Sequence, residues 1–232
     1  MSETQSASVP DDGEAASPVR AAQAKRVSAG LAANPMVTRI GDHRLALFGR
    51  QSFLTEAECI RLIAMIDVDA NPSSLFSGDA NPLYRTSSSC HLNPWDAFVM
   101  EVTARISALV GIDSTHGETL QGQRYHVGEE YKAHCDWFPV QTRYWPAMRE
   151  AGGQRVWTAM IYLNDVEEGG ETQFVRLGFM IPPRRGTILI WSNVREDGSV
   201  NPDSLHAARP VIAGSKYIVT KWFRERPWTP KA

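Results

Sequence analysis

The chain is poor in cysteine and contains no long apolar run, and each shortage excludes a class of protein. Its three cysteines, Cys59, Cys90 and Cys135, are too few, and odd in number, for the disulfide framework of a small secreted domain. No apolar stretch has the length that a membrane span needs, and the polar, acidic N-terminal residues contain no apolar segment of a secretory signal. These features predict a cytoplasmic protein in a reducing compartment, without a membrane partner.

Basic residues are neither in excess nor clustered. The chain has 24 lysines and arginines against 26 acidic residues, its formal charge is -2, and adjacent basic residues occur only in pairs such as Arg184 and Arg185. Proteins that bind nucleic acid carry a basic surface because they neutralise phosphates, so we expect no nucleic acid partner. The hydrophobic fraction of 43% suffices for one substantial core, and a single domain is the simplest organisation.

The composition changes near residue 34. Residues 1–34 are rich in Ala and Ser and contain few large apolar side chains, which predicts a disordered or loosely ordered tail. Residues 35–232 carry the remaining apolar segments, and we expect them to form the folded domain.

Two helices are predicted before residue 118. Thr55 and Glu58 have the spacing of a capping box, and apolar residues follow them at helical intervals. A second helix is predicted to start after Asn93, with Pro94 in its first position, and to end at Gly111. The loop over 69–92 between these helices is long enough to act as a lid, which is a hypothesis from its length and composition.

Short β-type segments dominate the rest of the chain. Runs such as RVWTAMIYL, GTILIW and KYIVTKWF alternate with Gly, Pro and Asn breaks, and no helix of ordinary length fits between them. This alternation of β-type runs and breaks predicts an antiparallel all-β unit, which is a sandwich, a jelly roll or a barrel. We expect the two helices to pack against it.

Three residues form a candidate metal site. His134 and Asp136 are two apart, so on a strand their side chains share one face, and His206 follows shortly before the last strand. Two histidines and one carboxylate are the facial triad of iron(II) oxygenases, which leaves metal positions open for other ligands. The same set also suits zinc, and His-x-Asp alone is a weak signal.

A lysine narrows the choice of chemistry. Lys216 follows His206 by ten residues and opens a strand of apolar and aromatic residues. A lysine that points into such a core is costly unless it pairs with an anion, and the distal carboxylate of 2-oxoglutarate would be that anion. The alternative is a solvated lysine on an edge strand.

Several ordered motifs resemble one family. The run Tyr125-x-x-Gly128-x-x-Tyr131-x-x-His134-x-Asp136, then YLNDVEEGGETQF, SLHAARPV and GSKYIVTKWF, with RTSSSCHL and FLTEAEC upstream, is similar to the prolyl 4-hydroxylase branch of the 2-oxoglutarate dioxygenases. The similarity covers about residues 36–228. It implies a mainly β fold with flanking helices, whose core is a double-stranded β-helix of the jelly-roll, cupin-like type. It also implies iron(II), 2-oxoglutarate and O2 as cofactor and cosubstrates, and makes ascorbate a candidate whose requirement is left open.

The resemblance also implies roles for single residues. His134, Asp136 and His206 would be the iron ligands. Lys216 would pair with the distal carboxylate of the cosubstrate. The hydroxyl groups of Tyr125 and Thr172 would add hydrogen bonds to the cosubstrate, and Trp222 would line its pocket. Tyr131 and Arg155 match positions that face the peptide substrate, although Arg155 by itself could equally be a surface charge.

The implied reaction is the hydroxylation of an unactivated C–H bond in prolyl residues of a peptide or protein, with release of succinate and CO2. Four alternatives stay open. These are a hydroxylase of a free amino acid or other small molecule, a nucleic acid demethylase, a zinc hydrolase and a non-catalytic jelly-roll binding module. The acidic net charge speaks against the demethylase, and a non-catalytic module has no need of the triad together with Lys216. The oligomeric state is not determined by these features.

Overall fold

Antiparallel strands form the centre of the fold, as the short segments rich in Val, Ile, Tyr and Trp predict. The computed structural model describes residues 13–73 and 84–228. In these ranges the strands are β1 Thr38–Arg39, β2 Leu47–Arg50, β3 Asn71–Pro72, β4 Ser88–His91, β5 Gln121–Tyr125, β6 Tyr131–His134, β7 Arg155–Tyr162, β8 Glu168–Gly169, β9 Thr172–Phe174, β10 Phe179–Ile181, β11 Ile188–Ser192, β12 His206–Ala208, β13 Val211–Ala213 and β14 Lys216–Arg224. The helices are α1 Pro18–Ala33, α2 Glu56–Asp69, α3 Ala97–Val110 and α4 Trp145–Glu150, with short 3-10 turns at Ser114–His116, Val175–Leu177 and Pro202–Ser204.

Two sheets face each other across a shared core. The major sheet has the order β1-β2-β11-β7-β14-β5-β4-β3, the minor sheet has the order β10-β9-β12-β6, and β13 pairs with β8 separately. Phe174 and Ala208 of the minor sheet share a buried cluster with Met160 and Trp191 of the major sheet. This arrangement agrees with the predicted jelly-roll core, and it puts the inward side chains of β6, β7, β12 and β14 around one space.

Helices α2 and α3 cover the outer face of the major sheet. Val219 and Phe223 of β14 share a cluster with apolar side chains of α2 and α3, such as Leu62 and Val102, whereas Ile218 of the same strand packs inside the jelly roll. Because side chains alternate along a strand, this central strand carries two apolar faces, one for the helices and one for the space between the sheets. The predicted buttressing by two helices is confirmed.

The ends of these helices follow local capping rules, with one correction. The Thr55–Glu58 capping box is present, and Gly111 ends α3 in the left-handed conformation at φ 73°. The expected start of α3 after Asn93 is wrong. Asp96 caps the helix, since its carboxylate accepts hydrogen bonds from the backbone N–H groups of residues 98 and 99 at 2.9 and 3.1 Å. The Asn93 side chain instead accepts from the Trp95 N–H in the preceding turn.

Helix α1 differs from the predicted disordered or loosely ordered tail. Val27 and Leu31 are each 1% exposed and belong to the main core cluster, while Ser17 caps the helix. Arg20 is also buried, and it forms an ion pair of 2.8 Å with Glu225, at the other end of the chain. Removal of one partner of a buried ion pair costs about 3–5 kcal/mol, so α1 is an integral part of the folded unit. Residues 1–12 of the predicted tail lie outside the described residues.

The region predicted to be a lid is partly strand. β3 and β4 occupy its two ends and pair with each other, and β4 also pairs with β5. Residues 74–83, the middle of the region in the lid hypothesis, lie outside the described residues. Among the helices in the described ranges, none is both long and apolar enough to span a bilayer.

Candidate active site

The pairing of two short strands brings the predicted metal ligands together. His134 ends β6 and His206 begins β12, and these two residues are direct partners in the antiparallel pair. Asp136 follows β6 and turns its carboxylate to both rings. The Nε2 atoms of His134 and His206 each lie 3.9 Å from an Asp136 oxygen, and one candidate ligand atom per residue lies within 4.8 Å of the others. Such spacing places three ligands around a single ion.

Backbone carbonyls orient both imidazoles. The Nδ1 atoms of His134 and His206 lie 2.8 and 2.9 Å from the carbonyl oxygens of Lys132 and Ser204. A carbonyl only accepts, so Nδ1–H donates and the lone pair of Nε2 points at the shared centre. Burial lowers the pKa of His134 to about 3, which keeps this ring neutral at physiological pH, as a metal ligand must be.

The third ligand is an ionised, buried carboxylate. Burial raises the pKa of Asp136, but the imidazoles of His206 and His134, the Arg155 guanidinium and the Thr158 hydroxyl outweigh it, and the pKa lies below its ordinary value. A neutral imidazole, a second imidazole and a carboxylate therefore converge on one point. Oxygen and nitrogen donors of this kind suit a divalent transition metal.

Lys216 lies at the closed side of the same space. Its side chain is 1% exposed, and its Nζ has no hydrogen-bond partner among the described residues. The rings of Tyr125 and Tyr162 lie below it, with Nζ 5.3 and 5.6 Å from their centroids. Burial lowers the pKa of the ammonium to about 7. Because β14 is a central strand, the edge-strand alternative is wrong, and an unpaired buried ammonium is a site for a ligand's anion.

A cavity of about 960 Å³ joins these groups. Its lining includes all nine residues that the sequence singled out, namely Tyr125, Tyr131, His134, Asp136, Arg155, Thr172, His206, Lys216 and Trp222. The volume exceeds what a metal and a small dicarboxylate fill, so there is room for part of a further substrate.

The hydroxyl groups near Lys216 are not equivalent. Tyr162 donates to the Thr172 hydroxyl at 2.6 Å, so the hydrogen of Thr172 is left for another acceptor. Tyr125 donates to the Gln123 side-chain oxygen at 2.7 Å, so its own hydrogen is already used. Tyr125 would donate to a ligand only after this bond breaks. The Trp222 indole N–H has no partner among the described residues and lies on the cavity wall.

Tyr131 and Arg155 occupy the other side of the metal ligands. The Tyr131 ring stacks on His134, with centroids 3.5 Å apart and planes 13° from parallel. Arg155 is 7% exposed, so the surface-charge alternative is wrong. Its Nε and a terminal nitrogen donate to the two Glu118 oxygens at 2.7 Å each, and its guanidinium lies 3.9 Å from the Trp222 ring centroid.

Several residues of the site were not predicted. Glu118 also accepts from Nε of Arg224 at 2.5 Å, and so balances two buried guanidinium groups. Arg224 shares the inward face of β14 with Lys216 and Trp222, which a period of two along the strand could have revealed. Thr158 and Asn193 lie behind Asp136, and no local sequence signal identifies them.

The chain is similar to known proteins in both sequence and fold. The model of a family described as the 2OG-Fe(II) oxygenase superfamily matches residues 120–224. A probable prolyl 4-hydroxylase 8 of Arabidopsis thaliana is 35% identical over 205 residues, which cover 76% of this chain and 67% of that protein. The prolyl 4-hydroxylase subunit alpha-1 of Rattus norvegicus is 37% identical over 145 residues, which cover 62% of this chain but 27% of the rat subunit.

A solved structure shares both fold and sequence features. It is the viral collagen prolyl hydroxylase of Paramecium Bursaria Chlorella virus-1, in its complex with 2OG. Its TM-score is 0.60 at 26% identity, and the alignment covers 81% of this chain and 98% of the viral one.

Proposed function

The chain belongs to the prolyl 4-hydroxylase branch of the 2-oxoglutarate and iron(II) oxygenases, and from this membership we propose that it hydroxylates prolyl residues of a peptide or protein. It is a 2-oxoglutarate-dependent dioxygenase that uses iron(II), 2-oxoglutarate and O2. The observation that carries the cosubstrate assignment is the buried, unpaired ammonium of Lys216, which shares a cavity with the His134, Asp136 and His206 triad.

Residues of the chain have separable roles in this proposal. His134, Asp136 and His206 would hold the iron, and the hydrogen bonds on the far side of each imidazole keep Nε2 directed at the shared centre. A set of three protein ligands would leave the metal able to take the cosubstrate and O2 as further ligands. When bound, iron(II) with 2-oxoglutarate and O2 supplies the oxidation that converts C–H to C–OH and releases succinate and CO2.

The cosubstrate end is recognised by charge and by a directed hydroxyl. Lys216 would neutralise the distal carboxylate of 2-oxoglutarate. The Thr172 hydroxyl, whose hydrogen is free, would donate a hydrogen bond to the same carboxylate. Tyr125 contributes its ring beneath the ammonium, and a hydrogen bond only if Gln123 gives it up. Trp222 closes the wall of the pocket. Water is excluded from this end because the groups lie between two sheets.

The substrate end is proposed to lie beyond Tyr131 and Arg155. The Tyr131 ring covers His134, so it faces whatever approaches the metal from that side. Arg155 is fixed by Glu118 and stacked on Trp222, which makes it a preorganised rather than a mobile cation. The similar proteins from Arabidopsis thaliana and Rattus norvegicus are named prolyl 4-hydroxylases. A prolyl hydroxylase of similar fold from Trichoplax adhaerens was solved in complex with a peptide fragment of hypoxia inducible factor.

A peptide screen tests the proposed substrate. We expect a mass increase of one oxygen atom on the prolines of some peptides in a proline-containing library, incubated with enzyme, iron(II), 2-oxoglutarate and O2. Succinate should form in equal amount, because each hydroxylation consumes one cosubstrate. Reactions with and without ascorbate show whether it belongs with the cofactors.

Two results would contradict the proposal. Free proline or another free amino acid as the sole hydroxylated compound would point to a small-molecule hydroxylase. Succinate release that no peptide stimulates, with no oxygen added to any peptide, would count against a peptide substrate. Peptides in which every proline is replaced by alanine are the matched control.

Tyr162, which no sequence pattern identified, orients the Thr172 hydroxyl. Tyr162→Phe removes the donor that orients Thr172, so the Thr172 hydroxyl can rotate away from the cosubstrate. Loss of one such hydrogen bond corresponds to about 0.5–1.5 kcal/mol, and we expect the KM for 2-oxoglutarate to rise by roughly 2- to 13-fold. The kcat and the iron affinity should change little. An unchanged KM, measured by succinate release, would remove Thr172 from the cosubstrate site.

We also propose a domain boundary and a compartment. The proposed dioxygenase domain has the bounds 35–232 that the sequence suggests, and α1 precedes this domain and packs against it. A reducing compartment, which the sequence predicts to be the cytoplasm, is supported by three cysteines that are all unpaired.

A further inference from the structure

A hydrogen-bonded relay behind Asp136 connects three elements of the fold. Thr158 lies in the middle of β7 and Asn193 follows β11, and both are 0% exposed. The Thr158 hydroxyl lies 2.7 Å from Oδ2 of Asp136, and the Asn193 side-chain nitrogen lies 2.9 Å from the Thr158 oxygen. No residue of this relay touches the space where iron or cosubstrate would bind, except Asp136 itself.

The direction of each hydrogen bond follows from the chemistry of the groups. An ionised carboxylate can only accept, so the Thr158 hydrogen goes to Asp136. The Thr158 oxygen then has lone pairs left, and one of them accepts from the Asn193 amide. If the amide were reversed, its oxygen would compete with Asp136 for the single hydroxyl hydrogen. The observed orientation leaves the Asn193 oxygen without a partner among the described residues, so a buried acceptor is left unpaired while the hydrogen is kept for Asp136.

Both partners behind the carboxylate are held rigidly. Thr158 is paired with Trp191 on one side and with Trp222 on the other, in the centre of the major sheet. Asn193 donates its backbone N–H to Val156 and accepts from the backbone N–H of residue 201, at 2.9 Å each. By contrast, Asp136 lies past the end of β6, where no pairing with another described strand holds its backbone. The relay therefore ties the Asp136 carboxylate to two rigid parts of the major sheet.

We propose that Thr158 and Asn193 are positioning residues, which hold the Asp136 carboxylate turned toward His134 and His206 and thereby preorganise the iron site. Among the described residues, Oδ1 of Asp136 accepts no hydrogen bond, while Oδ2 accepts from Thr158. A carboxylate with one oxygen held by the protein offers its other oxygen to a metal in a defined direction. The inference rests on the iron site of the proposed function.

The test measures iron binding without any peptide. Thr158→Val keeps the shape of the side chain and removes the hydroxyl, whereas Thr158→Ser keeps the hydroxyl. Iron(II) is titrated anaerobically into each protein with 2-oxoglutarate present, and the visible charge-transfer band is followed. We expect the valine variant to raise the iron Kd by about 10- to 100-fold and the serine variant by less than about threefold. The melting temperature of each metal-free protein reports the fold separately.

A double-mutant cycle distinguishes a relay from two unrelated contributions. Asn193→Leu should weaken iron binding by a smaller factor, and Thr158→Val with Asn193→Leu should bind iron no more weakly than Thr158→Val alone. Normal iron binding by the valine variant would overturn the proposal, as would an equal loss in the serine variant or fully additive losses. If the valine variant does not fold, Asn193→Leu serves as the test by itself, and unchanged iron binding by this variant would overturn the proposal. Failure to find a prolyl substrate would leave these results unaffected, since no substrate is present.

Discussion

Replacing His134 with alanine is expected to abolish turnover and to weaken iron(II) binding by more than about 100-fold. Residues that only orient a ligand contribute about 10- to 100-fold to metal affinity, so loss of a ligand itself costs more. His134 is also the partner of His206 in the pairing of β6 with β12, and the ring on which Tyr131 stacks. The anaerobic band with 2-oxoglutarate and the release of succinate are the two measurements.

A histidine outside the site provides the control. His43 is exposed in the turn between β1 and β2, and His43→Ala should leave both measurements unchanged. If His134→Ala retains the band and forms succinate at the parent rate, the metal is held elsewhere and the assigned triad is wrong. If zinc were the working metal, the parent protein would give no band with iron(II) and 2-oxoglutarate.

Replacing Lys216 with methionine should raise the KM for 2-oxoglutarate by roughly 30-fold or more, with little change in the Kd of iron. Truncation of one partner of a buried charge pair costs about 2–5 kcal/mol, which corresponds to this range. Lys221→Met is the matched control, because Lys221 is the other buried lysine of β14 but lies against Gly117 on the opposite face. Equal losses of iron and cosubstrate affinity would show that Lys216 is structural.

The same substitution should stabilise the metal-free protein. The pKa of Lys216 is lowered from 10.5 to about 7 in the fold, so the unfolded chain binds more protons between those values. The free energy of unfolding therefore rises with pH across that window, and the cost of burying the ammonium is fully present below about pH 7. Lys216→Met should gain stability on the order of a few kcal/mol near pH 7, with a smaller gain at higher pH.

Cosubstrate affinity should respond to pH in the opposite sense. Above about pH 7 the free enzyme loses the proton of Lys216, and the carboxylate then meets a neutral amine. The KM for 2-oxoglutarate should increase by up to about tenfold per pH unit above 7 in the parent and stay flat in Lys216→Met. A parallel pH dependence in both proteins would assign the titration to another group.

The sequence predicted the parts of the site that local patterns and ordered motifs encode. His134 and Asp136 are near neighbours in the chain, and Lys216 opens a strand whose alternation predicts which face it occupies. These residues could be proposed as site residues from the sequence, and the β-rich core and the capping box at Thr55 could be predicted from it. What the sequence left open was whether Lys216 was buried, and the central position of β14 decides that.

Contacts between distant segments could not be predicted. Glu118 is 37 residues from Arg155 and 106 from Arg224, and each of the three alone looks like an ordinary surface charge. The Ala-rich composition of α1 suggested a tail because three buried apolar side chains and a buried arginine are a weak signal. Such a helix is stabilised by packing and by Glu225, not by its own periodicity.

The central position of β14 has a consequence for biosynthesis. β14 is the last of the described strands in chain order, yet it lies between β7 and β5 and makes its longest pairing with β7. Before β14 has left the ribosome, β5 and β7 lack the strand that pairs with both of them. Their facing edges are then unpaired and exposed to other chains. The sheet therefore closes only after synthesis of almost the whole domain, and a nascent chain that stalls before Lys216 is a candidate client for chaperones.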